Sequence, residues 1–224
     1  MINQGDFVEI EYLAKIKDTD IVFDVTSEAK AKELKLFNPN VKYGPVIICI
    51  GERNLVMGLD EGLLNKDIGS FNLDISSSHA FGPKNPKLLK IVKKDMFLKQ
   101  NINPFIGLQV NIDGMIGVIR SISGGRIIVD FNHPLAGRDV VYQVYVKRIV
   151  TDQIEKTKSL IMFNLYLDDS KYSIDKTPKG IEVKTKVEIP KQIVELFTTK
   201  YAKLVSNDIN ISFLVDKGDT TTQK

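Results

Sequence analysis

The 224-residue sequence predicts an α+β fold: antiparallel strands with short helices, interrupted by a small β barrel and followed by a C-terminal α+β unit. Three observations predict it. Short segments alternate apolar and polar residues with the period of a half-buried strand, separated by Gly, Pro and Asx turns. Helical spacing in the first half is confined to two short stretches, whereas an extended apolar helical face appears only after Pro190. Residues 85–131 differ in character from their surroundings: seven Lys/Arg stand against three Asp and no Glu, and 22 of the 47 residues are Val, Ile, Leu, Met or Phe.

The elements follow in order. Phe7 to Ala14 alternates and reads as a strand, and Ile21-Val22-Phe23 follows the Lys17–Asp20 turn. Ser27 to Phe37 is expected to be helical, with Glu28 and Lys32 at i,i+4 and Asn38-Pro39 as its stop. Val46 to Ile50 is a buried strand ended by Gly51. Leu55, Leu59 and Leu63 mark a short helix, and Phe71 to Ile75 alternates as a strand.

Past Pro83-Lys84-Asn85-Pro86 the pattern changes to closely spaced strands at Val110–Ile112, Ile116–Ile119 and Ile127–Phe131, after a short apolar stretch at Leu88–Ile91. Asp113-Gly114 and Gly124-Gly125 supply the turns. Val140 to Ile149 alternates again, with Val140, Tyr142, Val144 and Val146 on one face. In the C-terminal unit Leu160–Leu167 and Ile181–Ile189 are expected as strands. Pro190 opens a helix, Ile209–Val215 closes the unit as a strand, and 216–224 is a frayed tail, giving a β-β-α-β order. The domain boundaries are therefore 1–84, 85–131, 132–152 and 153–224.

Composition excludes several classes. A net charge of +3 with 43% apolar residues is an ordinary globular balance. A membrane-spanning helix needs about 20 apolar residues, and no run approaches that. The start, Met1 to Asp6, has neither a basic region nor an apolar core, and one cysteine cannot form an intramolecular disulfide, so a cytoplasmic protein is expected. His79 and His133 share no metal-ligand spacing, no nucleophile motif occurs, and Cys49 lies inside an apolar strand. Neither a metal nor a cofactor is expected.

Catalysis without a titrating group remains. Rotation about an X–Pro bond breaks amide resonance, and the twisted amide is less dipolar than the planar one. An apolar pocket with one donor for a neighbouring carbonyl favours that state. Tyr12, Phe23 and Tyr142 could line such a pocket, but their periodicity equally fits plain core aromatics. Asp24 beside Phe23 is the odd residue, either a partnered carboxylate or a turn cap.

The string Gly5-Asp6-Phe7-Val8-Glu9-Ile10-Glu11-Tyr12 with Val22-Phe23-Asp24 resembles the opening of an FKBP-type peptidyl-prolyl isomerase. Tyr43-Gly44-Pro45, Gly51-Glu52, Leu55 to Leu63, Asp67-Ile68-Gly69, Ala80-Phe81-Gly82 and Asp130 to Gly137 with Val140 to Val144 continue the likeness in order, over roughly residues 4–150. The resemblance implies an FKBP-like half-barrel, a half-open antiparallel sheet around a short helix, for 1–84 and 132–152. It further implies that 85–131 is the insert-in-flap chaperone domain of SlyD-like members, and that the extra 153–224 unit belongs to the long archaeal type. The histidine-rich metal-binding tail of SlyD has no counterpart here.

Carried over position by position, the resemblance implies a catalytic set of Tyr12, Phe23, Asp24, Val56, Phe81 and Tyr142. Val46, Leu55 and Leu59 would complete the substrate pocket. Val56 would donate its backbone N–H to the substrate, and Asp24 would hold Tyr12 or Tyr142. Many members carry tryptophan where Leu59 stands and tyrosine where Phe81 stands, which implies a less polar pocket with weaker macrolide affinity. The implied activity is peptidyl-prolyl cis-trans isomerisation with chaperone binding by the inserted domain. The partners would be unfolded or nascent polypeptides containing prolines, with neither membrane nor nucleic acid, and 153–224 is the candidate homodimer contact. Two other readings stand beside this one: a holdase without useful catalysis, and an RNA- or ribosome-binding protein using Lys90, Lys93, Lys94, Lys99, Arg120 and Arg126.

Overall fold

The computed structural model describes residues 1–178, 180–206 and 210–215. The strands are β1 (Phe7–Ile16), β2 (Val22–Val25), β3 (Val46–Cys49), β4 (Gly69–Ile75), β5 (Leu89–Lys93), β6 (Gln109–Ile112), β7 (Met115–Ser123), β8 (Arg126–Asp130), β9 (Val140–Val150), β10 (Tyr172–Thr177), β11 (Gly180–Thr185) and β12 (Asn210–Val215). The helices are α1 (Glu28–Glu33), α2 (Met57–Leu63), α3 (Lys94–Leu98), α4 (Gln153–Leu165) and α5 (Lys191–Leu204). Two compact units result: 1–15, 20–73 and 141–224 form the first, and 16–19 with 74–140 the second.

The first unit is organised by a five-stranded sheet of order β2-β1-β9-β4, in which β3 also pairs with β1. The N-terminal half of β1 takes β3 antiparallel and its C-terminal half takes β2. The register divides these strands into two faces. Phe7 opposes Cys49, whereas Val8 opposes Ile48 and Ile10 opposes Val46. Both faces of β3 are thus occupied, which explains why Val46 to Ile50 reads as a continuous apolar run rather than an alternating one.

Phe7, Ile47 and Cys49 share a core with Leu160, Ile161, Phe197 and Tyr201 of α4 and α5. Helices α4 and α5 are therefore packed on the back of the sheet within the same compact unit. Helix α2 lies so close to β4 that a Cβ at Gly62 would stand 2.9 Å from Leu73 Cδ1.

The C-terminal segment departs from expectation. Residues 153–165 form helix α4 where a strand over Leu160–Leu167 was expected, and the partner strand of β11 is β10 instead. The order is α-β-β-α-β. The physical reason is a helix start at Asp152, whose carboxylate accepts from the Glu155 N–H at 2.9 Å, followed by Leu160 and Ile161 turned into the core. α5 then crosses over so that β11 and β12 pair in parallel, as such pairs require. Pro190 is the N-cap of α5 rather than its first helical residue. The tail expected at 216–224 lies outside the described residues.

Two helices near the sheet are shorter than expected. α1 stops at Glu33, because Lys35 takes a left-handed φ of 58° and the Leu36 N–H turns back to the Ala31 carbonyl. α2 begins at Met57, leaving Leu55 in the preceding loop.

The second unit contains a four-stranded antiparallel sheet of order β5-β8-β7-β6. Among the described residues β5 and β6 do not pair with each other, so the sheet is open at both edges where a small β barrel was expected. Asp113-Gly114 and Gly124-Gly125 each have positive φ at both positions, the primed-turn geometry that matches strand twist. Phe97 of α3 closes a small core with Val110, Ile119, Ile127 and Val129. The chain enters and leaves this sheet at one point, where the Asn85 N–H donates to Asn132 Oδ1 at 2.7 Å and Asn132 Nδ2 donates to the Asn85 carbonyl at 3.1 Å.

Candidate functional site

The register of β1 puts Tyr12 on the same face as Val8 and Ile10, and pairing with β3 puts Val46 there too. Ala14 opposes Asp24, so Asp24 also projects from that face. A clamp fixes β2 here: the Tyr12 N–H donates to Thr26 Oγ1 at 2.9 Å, and the Thr26 N–H donates to the Tyr12 carbonyl at 3.0 Å.

The side chains then converge. The Tyr12 hydroxyl donates to Asp24 Oδ2 at 2.8 Å, so of the two candidate tyrosines Tyr12 makes this bond. The Tyr12 and Tyr142 rings lie 5.5 Å apart, tilted by 49°, and Phe23 meets Tyr142 edge-on at 6.1 Å. Tyr142 is only 3% exposed, on the inward face of β9 with Val140, Val144 and Val146. Burial, reinforced by the Asp24 carboxylate, pushes the Tyr12 hydroxyl well above its ordinary value, and the same causes raise Tyr142. Both phenols therefore stay protonated. Near neutral pH they can offer hydroxyl donors but not act as bases or ionised acids.

Val56 is the N-cap residue of α2, with extended backbone at φ −93°. An N-cap N–H precedes the helical hydrogen-bond ladder, so the helix itself makes no demand on it. Leu59, one turn on, is fully buried, and Leu55 and Val46 are half-buried. Phe81 belongs to the second compact unit, where its ring stacks on His133 at 4.7 Å and 5°.

Sequence reasoning missed two residues that shape the loop leading to Val56. Asp60, 3% exposed, accepts at one carboxylate oxygen from the N–H groups of Gly51 at 3.0 Å and Arg53 at 2.8 Å. Burial raises its pKa, opposed by those two donors. Asn54 Oδ1 accepts from the Cys49 N–H at 2.7 Å. The available signal was a carboxylate four residues after Val56 on the buried stripe of a helix, where a charge needs partners.

Two other features carry no prolyl chemistry. Cys49 is fully buried and burial pushes its thiol up to about 12, so it remains a thiol. A cleft of about 210 Å³ lined by Glu11, Thr26, Ser27, Glu28, Tyr43 and Gly44 is acidic, the wrong lining for a weakly dipolar amide. Among the described residues, no helix is long and apolar enough to cross a membrane.

A family model described as "FKBP26, IF domain" matches residues 90–135. A short-type peptidyl-prolyl cis-trans isomerase of Methanocaldococcus jannaschii is 25% identical over 150 residues, covering 66% of this chain and 94% of that protein. The FKBP-type 16 kDa peptidyl-prolyl cis-trans isomerase of Escherichia coli K12 is 37% identical over 113 residues, covering 47% of this chain and 74% of that protein. The FKBP-type isomerase SlyD of Haemophilus influenzae is 27% identical over 135 residues, or 58% and 70% of the two chains. With an aromatic cluster closed by a tyrosine–aspartate hydrogen bond, and relatives of this identity and coverage, the chain belongs to the FKBP-type peptidyl-prolyl cis-trans isomerase family.

Proposed function

We propose that the protein catalyses cis-trans isomerisation of X–Pro bonds in unfolded chains, and that the sheet of the second unit binds those chains as a chaperone. The observation that carries the catalytic half is the Tyr12–Asp24 hydrogen bond within the ring cluster of Tyr12, Phe23 and Tyr142. An uncatalysed X–Pro bond faces a barrier of about 18–20 kcal/mol, because rotation breaks amide resonance. A prolyl ring seated against the three aromatics loses water around the amide, and the less dipolar twisted state suffers least from that loss. The Val56 N–H binds a substrate carbonyl and fixes the segment while the amide turns. Asp24 holds Tyr12, so the ring wall stays in place. No proton is transferred, and no bond is made or broken.

The chaperone half rests on exposure. Leu89, Ile91, Phe105, Ile106 and Ile116 of the second unit are 43–66% exposed, and an apolar surface with no partner of its own marks an interaction site. Segment 85–131, bounded by the Asn85–Asn132 neck, is read as the inserted domain. Its net charge of +4 adds attraction for acidic stretches of a client. A reducing cytoplasm suits a chain whose one cysteine is a buried thiol. Pairing of two chains through 153–224 belongs to the same proposal, on the exposed Met162, Tyr166, Ile193 and Leu196, and sedimentation reads it.

Proline-limited refolding of a test protein provides the experiment, with the parent and Asp24→Ala side by side. Uncatalysed isomerisation takes tens to hundreds of seconds, so acceleration is readily seen. The parent should accelerate it and Asp24→Ala much less. Aggregation suppression in a parent that accelerates nothing would instead establish a holdase.

A further inference from the structure

The loop from Gly51 to Val56 is held from two sides. From inside, Asp60 binds the Gly51 and Arg53 N–H groups with one oxygen, while its other oxygen, Oδ1, is buried without a hydrogen-bond partner. From outside, the C-terminal segment reaches it. Lys200 of α5 places Nζ 2.7 Å from Glu52 Oε2, and the same Nζ donates to Asn164 Oδ1 of α4 at 2.7 Å. Asn164 is fixed in turn by its own Nδ2, which donates to the Leu160 carbonyl at 2.8 Å. Nearby, the buried Ser159 hydroxyl donates to the Ile47 carbonyl at 2.7 Å, on the strand whose next-door residue Val46 faces the aromatic cluster.

These contacts are not ordinary surface pairs. The Glu52 and Lys200 side chains are 20% and 31% exposed, so both are half out of water and each depends on the other. Glu52 also stands close enough to the buried Asp60 carboxylate to repel it. Without Lys200, two like charges would face each other across a loop whose backbone is tied to one of them. The loop relaxes most easily by moving Glu52 outward, which drags residues 51–56 with it.

We propose that Lys200, acting through Glu52, is a positioning residue for the Val56 N–H, so that the C-terminal segment tunes substrate affinity at the isomerase pocket. This rests on the isomerase reading above. Lys200 touches no substrate. Its effect reaches the prolyl peptide only through the loop, and a donor used equally in ground and transition states alters KM rather than kcat.

The test compares Lys200→Met, which keeps the aliphatic stem, with Lys200→Arg and with the exchanged pair Lys200→Glu/Glu52→Lys. Tetrapeptide isomerisation is measured alongside amide hydrogen exchange of residues 50–56 and thermal melting. Lys200→Met should lower kcat/KM about fivefold, the factor a half-buried ion pair of this size carries, with the change in KM. Exchange in 50–56 should quicken, Lys200→Arg should retain both properties, and the exchanged pair should recover part of them. Unchanged loop exchange in Lys200→Met, or faster exchange with unchanged KM, overturns the proposal. A fall in kcat/KM that simply follows a general loss of melting temperature, unrelieved by Arg, overturns it as well. A parent inactive on every prolyl substrate overturns the isomerase reading instead, and the exchange of 50–56 then still decides whether Lys200 holds the loop.

Discussion

Gly117 separates the two proposed activities most sharply. It lies on β7, and a Cβ there would stand 2.7 Å from Phe131 Cδ1, 2.7 Å from Val129 Cγ1 and 2.8 Å from Phe131 Cε1. Neither neighbour is the free end of a flexible chain. Val129 is fully buried in the small core with Ile119 and Ile127, and Phe131 packs against that cluster. Gly117→Ala must therefore displace a ring and a β-branched side chain together. Overpacking of this kind costs about 1–3 kcal/mol. A unit with so few fully buried side chains has only a few kcal/mol of stability to lose, and for a domain of this size the cost corresponds to a fall of about 5–15 °C in melting temperature. The aromatic cluster of Tyr12, Phe23 and Tyr142 lies wholly in the first unit, so tetrapeptide isomerisation at 25 °C should change less than twofold. Suppression of aggregation and acceleration of proline-limited protein refolding should fall severalfold at temperatures above the lowered transition. Calorimetry and the two assays on one preparation read all three. A melting profile identical to the parent's refutes the packing argument. An equal loss on tetrapeptide and protein refutes the division of labour between the units.

Other perturbations probe the remaining links. Tyr12→Phe removes the hydroxyl that donates to Asp24 at 2.8 Å; because water can reach the exposed Asp24, kcat/KM should fall about fivefold rather than more, with the melting temperature nearly unchanged. Replacing 86–131 by a short turn between Asn85 and Asn132, which are already hydrogen-bonded, should spare tetrapeptide turnover and collapse activity on a refolding protein. Asp130 is buried, which alone would raise its pKa, but hydrogen bonds from Asn132 and Arg120 and the nearby Lys84 outweigh burial and hold it below the ordinary 3.8. Its ionised form therefore stabilises the second unit above that value, and the stabilisation drains away as pH falls further, through the folded-state pKa. Acid unfolding monitored in the second unit should show this, and Asp130→Asn should flatten the profile. Asp152→Ala removes the cap of α4 and should cost about 1 kcal/mol in denaturant unfolding.

Local sequence settled those parts of the protein that local physics governs. The β1, β4 and β9 strands follow from period-2 alternation, and the primed turns at Asp113-Gly114 and Gly124-Gly125 follow from residues that tolerate positive φ. The inward face of β9, which carries Tyr142, was legible for the same reason. Cys49 was legible as a buried hydrophobe because its neighbours on β3 are apolar on both sides.

What failed was local ambiguity or distance. Leu160 to Leu167 is a short apolar run that strand and helix periods both accommodate. Only the Asp152 cap and the packing of Leu160 and Ile161 against Phe7 and Cys49 make it a helix. The open sheet of β5 to β8 differs from a barrel by whether two edges meet, which no residue in either edge encodes. At the site, the sequence alone left Tyr12 as a core aromatic or a pocket wall, and Asp24 as a partner or a turn cap. Their assignment depends on a hydrogen bond across twelve residues, and the roles of Asp60 and Lys200 on contacts with backbone and charge that a linear reading does not bring together. The sequence by itself determined the alternating strands β1, β4 and β9 and which of their faces turn inward. Tertiary structure decided which phenol meets the carboxylate and what grips the Val56 loop, because hydrogen bonds and ion pairs act over a few ångströms in space whatever their separation along the chain.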